Sequence, residues 1–483
     1  MAKEAKMIIL IILSQFPNIR VNQDSGYYGT FGTGPTFGSG GRTSFAQGGK
    51  YYLVWMEDIS GTDSDIMFSL STDDGTTWVN PVRVDDAGPS DTSDQQYPSL
   101  YVQENGTIYV AYRDWGTGYA SIRVARSTDG GASWVVHPVD SVVSNHNNPS
   151  VWARNDTVFL AWQDDRFGDF DILYSISTNG GVTWSSPLRV NDVASGLQRE
   201  PSMGVHDNWV FVAWADFRNS GTSAWDIYFA RSTDLGATWG TNQRLNDDAT
   251  GEWQVQPSLD VRSYYPQPEI FVAWVDGRSL TPWHVYITRS TDNGSTWATN
   301  VKVDDLTSEP IGGATKPSVW ANDWVTHVTW HDEREGTYHI YYDFDCNGGL
   351  SFDNDMRVDE NAGDSKVAPT VTALDGSPLV AWSDNRRTGT LVYDVYAGSA
   401  YFCDDVRESL AGEAGPVLRW DMRALAQVSW PGKCFDAGIY DPAGRCLARG
   451  QFYERASFDL SREGPGVYLL RAGARTFKLV KPF

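Results

Sequence analysis

The chain has 483 residues and a formal net charge of −23, which argues against a nucleic-acid partner because phosphate recognition needs a basic patch. Its 21 Trp, 23 Tyr and 20 Phe, with 46 Gly to mark turns, suit many short strands and few helices. The length excludes one ordinary core, although a ring of repeated blades can take roughly 350–400 residues as a single domain.

At the N-terminus, Lys3 and Lys6 precede a short apolar run, Met7 to Leu13, too short to span a membrane. Residues 1–14 read as a truncated signal peptide, with an ordinary strand or a misassigned start as the alternative. No transmembrane segment is expected. The following Pro17-Asn18-Ile19-Arg20-Val21-Asn22 reads like Pro187-Leu188-Arg189-Val190-Asn191. It is predicted to supply a missing strand at the far end of the chain and so remove an exposed sheet edge. Ser25 to Arg42 is Gly-rich and carries Tyr27, Tyr28, Phe31 and Phe37. It is either a binding loop or a plain insert.

From there to Ala400 one unit recurs. In its third copy an inner strand opens at Pro149-Ser150-Val151-Trp152, and a second runs from Val158 to Trp162 and ends in Asp164-Asp165-Arg166. A third covers Asp171 to Ser175, and a fourth Ser186 to Asn191. Four antiparallel strands every 50 to 60 residues or so is the arithmetic of a propeller. The second strands end at Trp55, Tyr112, Trp162, Trp214, Trp274, Trp330 and Trp382, which predicts an all-β, seven-bladed β-propeller over 15–402. A six-bladed ring is the alternative.

Between the third and fourth strands stands Ser-x-Asp-x-Gly-x-x-Trp, at Ser71 to Trp78, Ser127 to Trp134, Ser232 to Trp239 and Ser290 to Trp297. Ser177 to Trp184 has Asn179 for the acid, and a worn copy runs from Asp345 through Asn347 to Phe352. The acid is expected to accept a backbone N–H two residues on, and the Gly to supply a left-handed turn. The Trp is expected to fold back over the turn as a lid. This pattern resembles the Asp-box, or BNR repeat, of the sialidase-like β-propellers, in which the box lies away from the active site. The resemblance makes Asp73, Asp129, Asn179, Asp234, Asp292 and Asn347 structural turn residues.

After a linker at 403–416, residues 417–483 carry compact strand signals that predict a small Ig-like β-sandwich. The hairpin Tyr440-Asp441-Pro442-Ala443-Gly444-Arg445, the strand Pro465-Gly466-Val467-Tyr468 and the closing Lys478-Leu479-Val480-Lys481 resemble the C-terminal sorting domain of type IX secretion substrates. That resemblance implies an extracellular or outer-membrane-attached protein and the type IX machinery as a partner. Cys346, Cys403, Cys434 and Cys446 show neither metal spacing nor a disulfide framework; Cys434 and Cys446 flank the hairpin and either pair or stand as separate thiols.

Chemistry is sought where the repeat breaks. Asp58, Asp114, Asp164, Asp216, Asp276, Asp332 and Asp384 close the second strands, and in five blades an Arg follows two residues later. A group present in every blade reads as an inter-blade salt bridge or a turn clamp. The exceptions at the same end are Arg113 and Trp115, His146 with Asn147 and Asn148, Arg199, Trp253, Trp283 and His331. These are the candidate ligand-binding residues, because aromatics beside arginines and amides suit sugar recognition. Glu200, Asp332 and Glu333 are the candidate catalytic acids. Lys316 precedes the sixth blade in the corresponding place. No cofactor is called for; Asp-rich loops such as Arg83 to Asp86 leave room for calcium, but no spaced ligand set specifies it. The early Arg-Ile-Pro of active sialidases is absent, and their arginine triad and Tyr–Glu pair match no residues here. The chain is expected to bind a glycan or a surface protein, with an exo-sialidase-type glycoside hydrolase as the alternative.

Overall fold

A computed structural model describes most residues between Asn18 and Ser399 and the strands between Val417 and Lys481. Residues 1–17, 23–27, 31–41, parts of several connecting loops and 400–416 lie outside the described residues. So do the leader at 1–14, most of the loop at 25–42, the linker, and Cys346, Asn347 and Cys403. In the C-terminal strands, which carry Cys434 and Cys446, only the backbone is described.

Two compact units emerge, one of them covering Gln15–Ala400. This unit is a ring of seven antiparallel sheets. The third is representative: inner strand His146–Arg154, then Thr157–Asp164, Asp171–Ser177 and the short outer strand Leu188–Arg189. The seventh sheet takes its outer strand from the other end of the chain, Ile19 lying opposite Ala397 and Arg20 opposite Tyr396. Asn22 locks this closure. Its Nδ2 donates to Asp394 at 3.2 Å, and its Oδ1 accepts the N–H of Val395 at 2.9 Å. No helix occurs among the described residues, and so none is long and apolar enough to cross a membrane.

The core is a series of slabs between neighbouring blades. One joins Tyr109, Ala111, Ile122 and Val124 of the second blade to Val151, Leu160 and Trp162 of the third. The second strands are apolar on both faces because each face meets a different blade. Near the axis a serine of the inner strand accepts the N–H of the next blade in five blades, among them Ser99 from Val151 at 3.0 Å, Ser150 from Met203 at 3.0 Å and Ser202 from Leu259 at 2.9 Å.

The Asp-boxes are built differently from expectation. Asp129 Oδ1 accepts the N–H of Ser133, four residues on rather than two, at 3.0 Å, while Ser127 Oγ donates to Asp129 and accepts from Gly131. The Trp does not merely cap its own turn. Trp134 meets Phe68 edge-on at 5.2 Å, Trp239 meets Tyr174 at 5.3 Å and Trp297 meets Phe229 at 4.8 Å, each ring on the preceding blade. The box glycine is needed twice over: Gly236 has φ of 85°, and any Cβ there would overlap the ring of Tyr174.

The second unit holds five antiparallel-paired strands, among them Val417–Asp421, Leu425–Tyr440 and Cys446–Asp459.

Candidate functional site

The ends of the second strands and the starts of the inner strands lie together, as His146 opposite Asp164 and Gln198 opposite Asp216 show. At this end the repeated carboxylates are consumed by structure. Asp276 accepts Trp274 Nε1 at 2.9 Å, the N–H of Arg278 at 2.9 Å and its guanidinium at 2.8 Å. That guanidinium also lies over Tyr286 at 4.1 Å. The same carboxylate contacts form at Asp164, Asp216, Asp332 and Asp384. The Arg-over-Tyr contact recurs at the last three, Leu173 standing at that register position in the third blade. Asp332, one of the candidate acids, is therefore fully buried between Trp330 and Arg334. Glu333 is half-buried beside it, and the structure brings neither into contact with Glu200.

A different tier surrounds the axis. Six of the inner strands, those of the second to seventh blades, carry a bulge, and the residue just before the proline is left-handed: Tyr97, Asn148, Glu200, Gln256, Lys316 and Ala368, with φ between 49° and 59°. For residues with a Cβ this conformation costs about 1–2 kcal/mol each. Recurrence in six blades makes the backbone a scaffold, while the side chain it presents changes from blade to blade. Reading Arg199-Glu200 and Lys316 as isolated breaks missed this. The signal was available as the residue preceding Pro98, Pro149, Pro201, Pro257, Pro317 and Pro369.

These side chains link blade to blade. Gln163 Oε1 accepts from Asn148 Nδ2 at 3.1 Å and from the N–H of Glu200 at 3.0 Å. Glu200 Oε2 accepts the N–H of Gln256 at 2.9 Å, and Gln256 Oε1 accepts that of Lys316 at 2.8 Å. The carboxyl of Glu200 is 1% exposed, and its Oε1 has no hydrogen-bond partner among the described residues. Burial pushes it up to about 7 against the pull of the Gln256 N–H, Arg199 and Lys316. Burial likewise holds Lys316 down to about 8, with Glu200 opposing. The two sit two blades apart, so their mutual influence is exerted near the axis. His331 is buried and pushed down to about 3, chiefly by burial and then by Lys316. Its nitrogens meet Thr315 Oγ1 at 2.9 Å and the N–H of Ala368 at 3.4 Å.

Around this tier stand the aromatics. Trp115 and Trp253 are 39% and 41% exposed, and Trp283 is half-buried 6.3 Å from Trp253. The guanidinium of Arg113 lies 4.2 Å from the Trp115 ring and 5.6 Å from that of Tyr97. Arg199 lies over Phe170 and Trp225, at 5.3 and 5.7 Å.

His146 belongs to another knot. It is buried 2.6 Å from Ser144 Oγ and 3.2 Å from Asp164, and burial lowers its pKa. Among the described residues Asp140, His146 and Asp164 form one grouping that could hold a metal ion. Arg166 Nη2 already bridges the two acids at 2.6 and 2.7 Å, so a fixed positive charge stands where a cation would bind. The residues do not fit a metal.

No protein-family model matches the sequence, and no curated protein matches it. Solved structures do. A PL25 ulvan lyase bound to -[GlcA(1-4)Rha3S]- is 13% identical over 77% of this chain and 94% of that one, with a TM-score of 0.53. A Hadza microbial sialidase is 19% identical over 60% and 63%, with a TM-score of 0.43. A GH93 alpha-L-arabinofuranosidase of Fusarium graminearum, in complex with arabinobiose, is 15% identical over 62% and 92%, also at 0.43. The chain is a seven-bladed propeller, and the fold is what it shares with the ulvan lyase.

Proposed function

We propose that the propeller is a secreted or cell-surface binding protein that recognises a glycan at the mouth of its ring. The observation that carries the reading is the exposure of Trp115 and Trp253 at the end where Arg113, Arg199 and the left-handed tier gather. Flat apolar faces beside planar donors are what pyranose rings and their hydroxyls require. The saccharide bound by the ulvan lyase, which shares the fold, agrees with this choice. A glycan array probed with the wild-type chain, Trp115→Ala and Trp253→Ala tests it. A glycan bound by the wild type and lost in either variant supports the reading; binding that both variants leave untouched, or no glycan bound at all, counts against it.

One observation favours the hydrolase alternative: Glu200 is a buried carboxyl with a raised pKa, as a general acid should be. Glycoside hydrolysis ordinarily takes two carboxyl groups. Among the described residues, the charges that act on Glu200 are the cations Arg199 and Lys316. The exposed Trp115 and Trp253 carry the choice of binding. Turnover of a fluorogenic sialoside or another aryl glycoside, abolished by Glu200→Gln, would reverse that ranking.

The C-terminal unit is the proposed address for type IX export. Deleting residues 417–483 should strand the propeller inside the cell, whereas export without them would remove the proposal.

A further inference from the structure

Below the mouth, one turn further along the inner strands, a second tier crosses the axis. Phe45, Tyr101, Trp152, Asp260 and Trp320 occupy equivalent register positions, opposite Tyr52, Tyr109, Phe159, Phe271 and His327 respectively. The rings touch one another: Phe45 to Tyr101 at 4.9 Å, Tyr101 to Trp152 at 4.5 Å and Phe45 to Trp320 at 5.1 Å. Into this box reaches Arg42. Its guanidinium carbon lies 4.6 Å from the Trp320 ring and 5.5 Å from those of Phe45 and Trp152, and it is ion-paired to Asp260. Asp260 is buried and held in place by the N–H of Ala321, at 2.7 Å.

A group that meets rings of the first, third and sixth blades and a carboxylate of the fifth lies on the ring axis. Several π-faces and one acid around a planar cation is the chemistry that recognises guanidinium and quaternary ammonium ligands. We propose that the throat of this propeller is a guanidinium-binding cage, that Arg42 is its built-in ligand, and that this ligand closes the channel below the mouth. The site is distinct from the saccharide mouth and does not depend on it. Arg42 also ties the first blade to three others across the axis.

The test is thermal unfolding of the full chain and its Arg42→Ala variant in low-millimolar guanidinium chloride, against sodium chloride at equal ionic strength. The variant should unfold several degrees below the wild type. Guanidinium should raise the midpoint of the variant and not of the wild type, whose cage is filled, and sodium should raise neither. Adding Asp260→Asn to the variant should abolish the rescue. No rescue, or an equal rise in both proteins, overturns the proposal. Should Arg42→Ala not accumulate in folded form, refolding it with and without guanidinium decides instead: recovery only with guanidinium supports the cage, and the same yield in both overturns it.

Discussion

Gln256 donates its backbone N–H to Glu200 Oε2 at 2.9 Å, so the bulge of the fifth blade holds a buried carboxyl of the fourth. The other oxygen of Glu200 has no such partner among the described residues. A carboxyl fixed on one side and unsatisfied on the other favours its protonated form in the fold.

That preference sets a pH dependence. The unfolded carboxyl ionises near ~4.3, and the folded one at about 7. Between those values the unfolded chain gives up a proton that the folded chain keeps. Stability from this group is complete below the lower value and is lost as pH rises through the upper one. Glu200→Gln should flatten that decline and leave the chain more stable at pH 8, by up to about 4 kcal/mol. Lys316 acts in the opposite sense: held down to about 8, it should make stability rise with pH between there and its unfolded value. Urea unfolding of wild type, Glu200→Gln and Lys316→Met across pH 4 to 10 reads both slopes; a Glu200→Gln curve parallel to wild type would refute the first.

The clamps should behave as structure. Asp276→Ala leaves Arg278 and Trp274 Nε1 without their buried acceptor and should cost about 3–5 kcal/mol in denaturant unfolding. Arg278→Lys keeps the charge but not the fork, and should also destabilise. A neutral result at both sites would show that repetition has been misread as architecture.

One pairing has swapped its acid. Asn191 Nδ2 donates to Asp171 at 2.7 Å in the third blade, and in the fifth His284 Nδ1 stands 2.7 Å from Asp304 at the same positions. Asp171→His and Asn191→Asp should each destabilise by about 1–3 kcal/mol, and the double variant should recover at least half of the summed loss. Additive losses would mean that the two positions do not read each other.

The Asp-boxes should separate from binding altogether. Asp129→Ala removes the acceptor of Ser127 Oγ and of the Ser133 N–H and should lower the unfolding midpoint. Glycan binding in the folded variant should match wild type, whereas Trp253→Ala should weaken it about tenfold, a loss of about 1.4 kcal/mol. Equal losses in both would move the site away from the mouth.

Much of this was legible one strand at a time. The apolar second strands predict seven blades, and Asn18-Ile19-Arg20-Val21-Asn22 predicts the closure, because a blade is a local antiparallel meander with a fixed strand period. The clamps were legible as Trp-x-Asp-x-Arg for the same reason. The tier of Tyr97, Asn148, Glu200, Gln256, Lys316 and Ala368 was not, although every member precedes a proline. Its members lie some fifty residues apart, and only the bulge turns them toward one axis.

What the sequence by itself determined is therefore the repeat: the turns, the strands, their number and the acids each blade consumes, set mainly by interactions within one blade. The tertiary structure decided which side chains share an environment. It placed Glu200 under the influence of Lys316, two blades away, set box tryptophans such as Trp134 on the blade before, and put Arg42 beside Trp320 and Asp260. Closing a ring brings residues of unrelated position to a common axis, and burial there, rather than residue type, sets their charge.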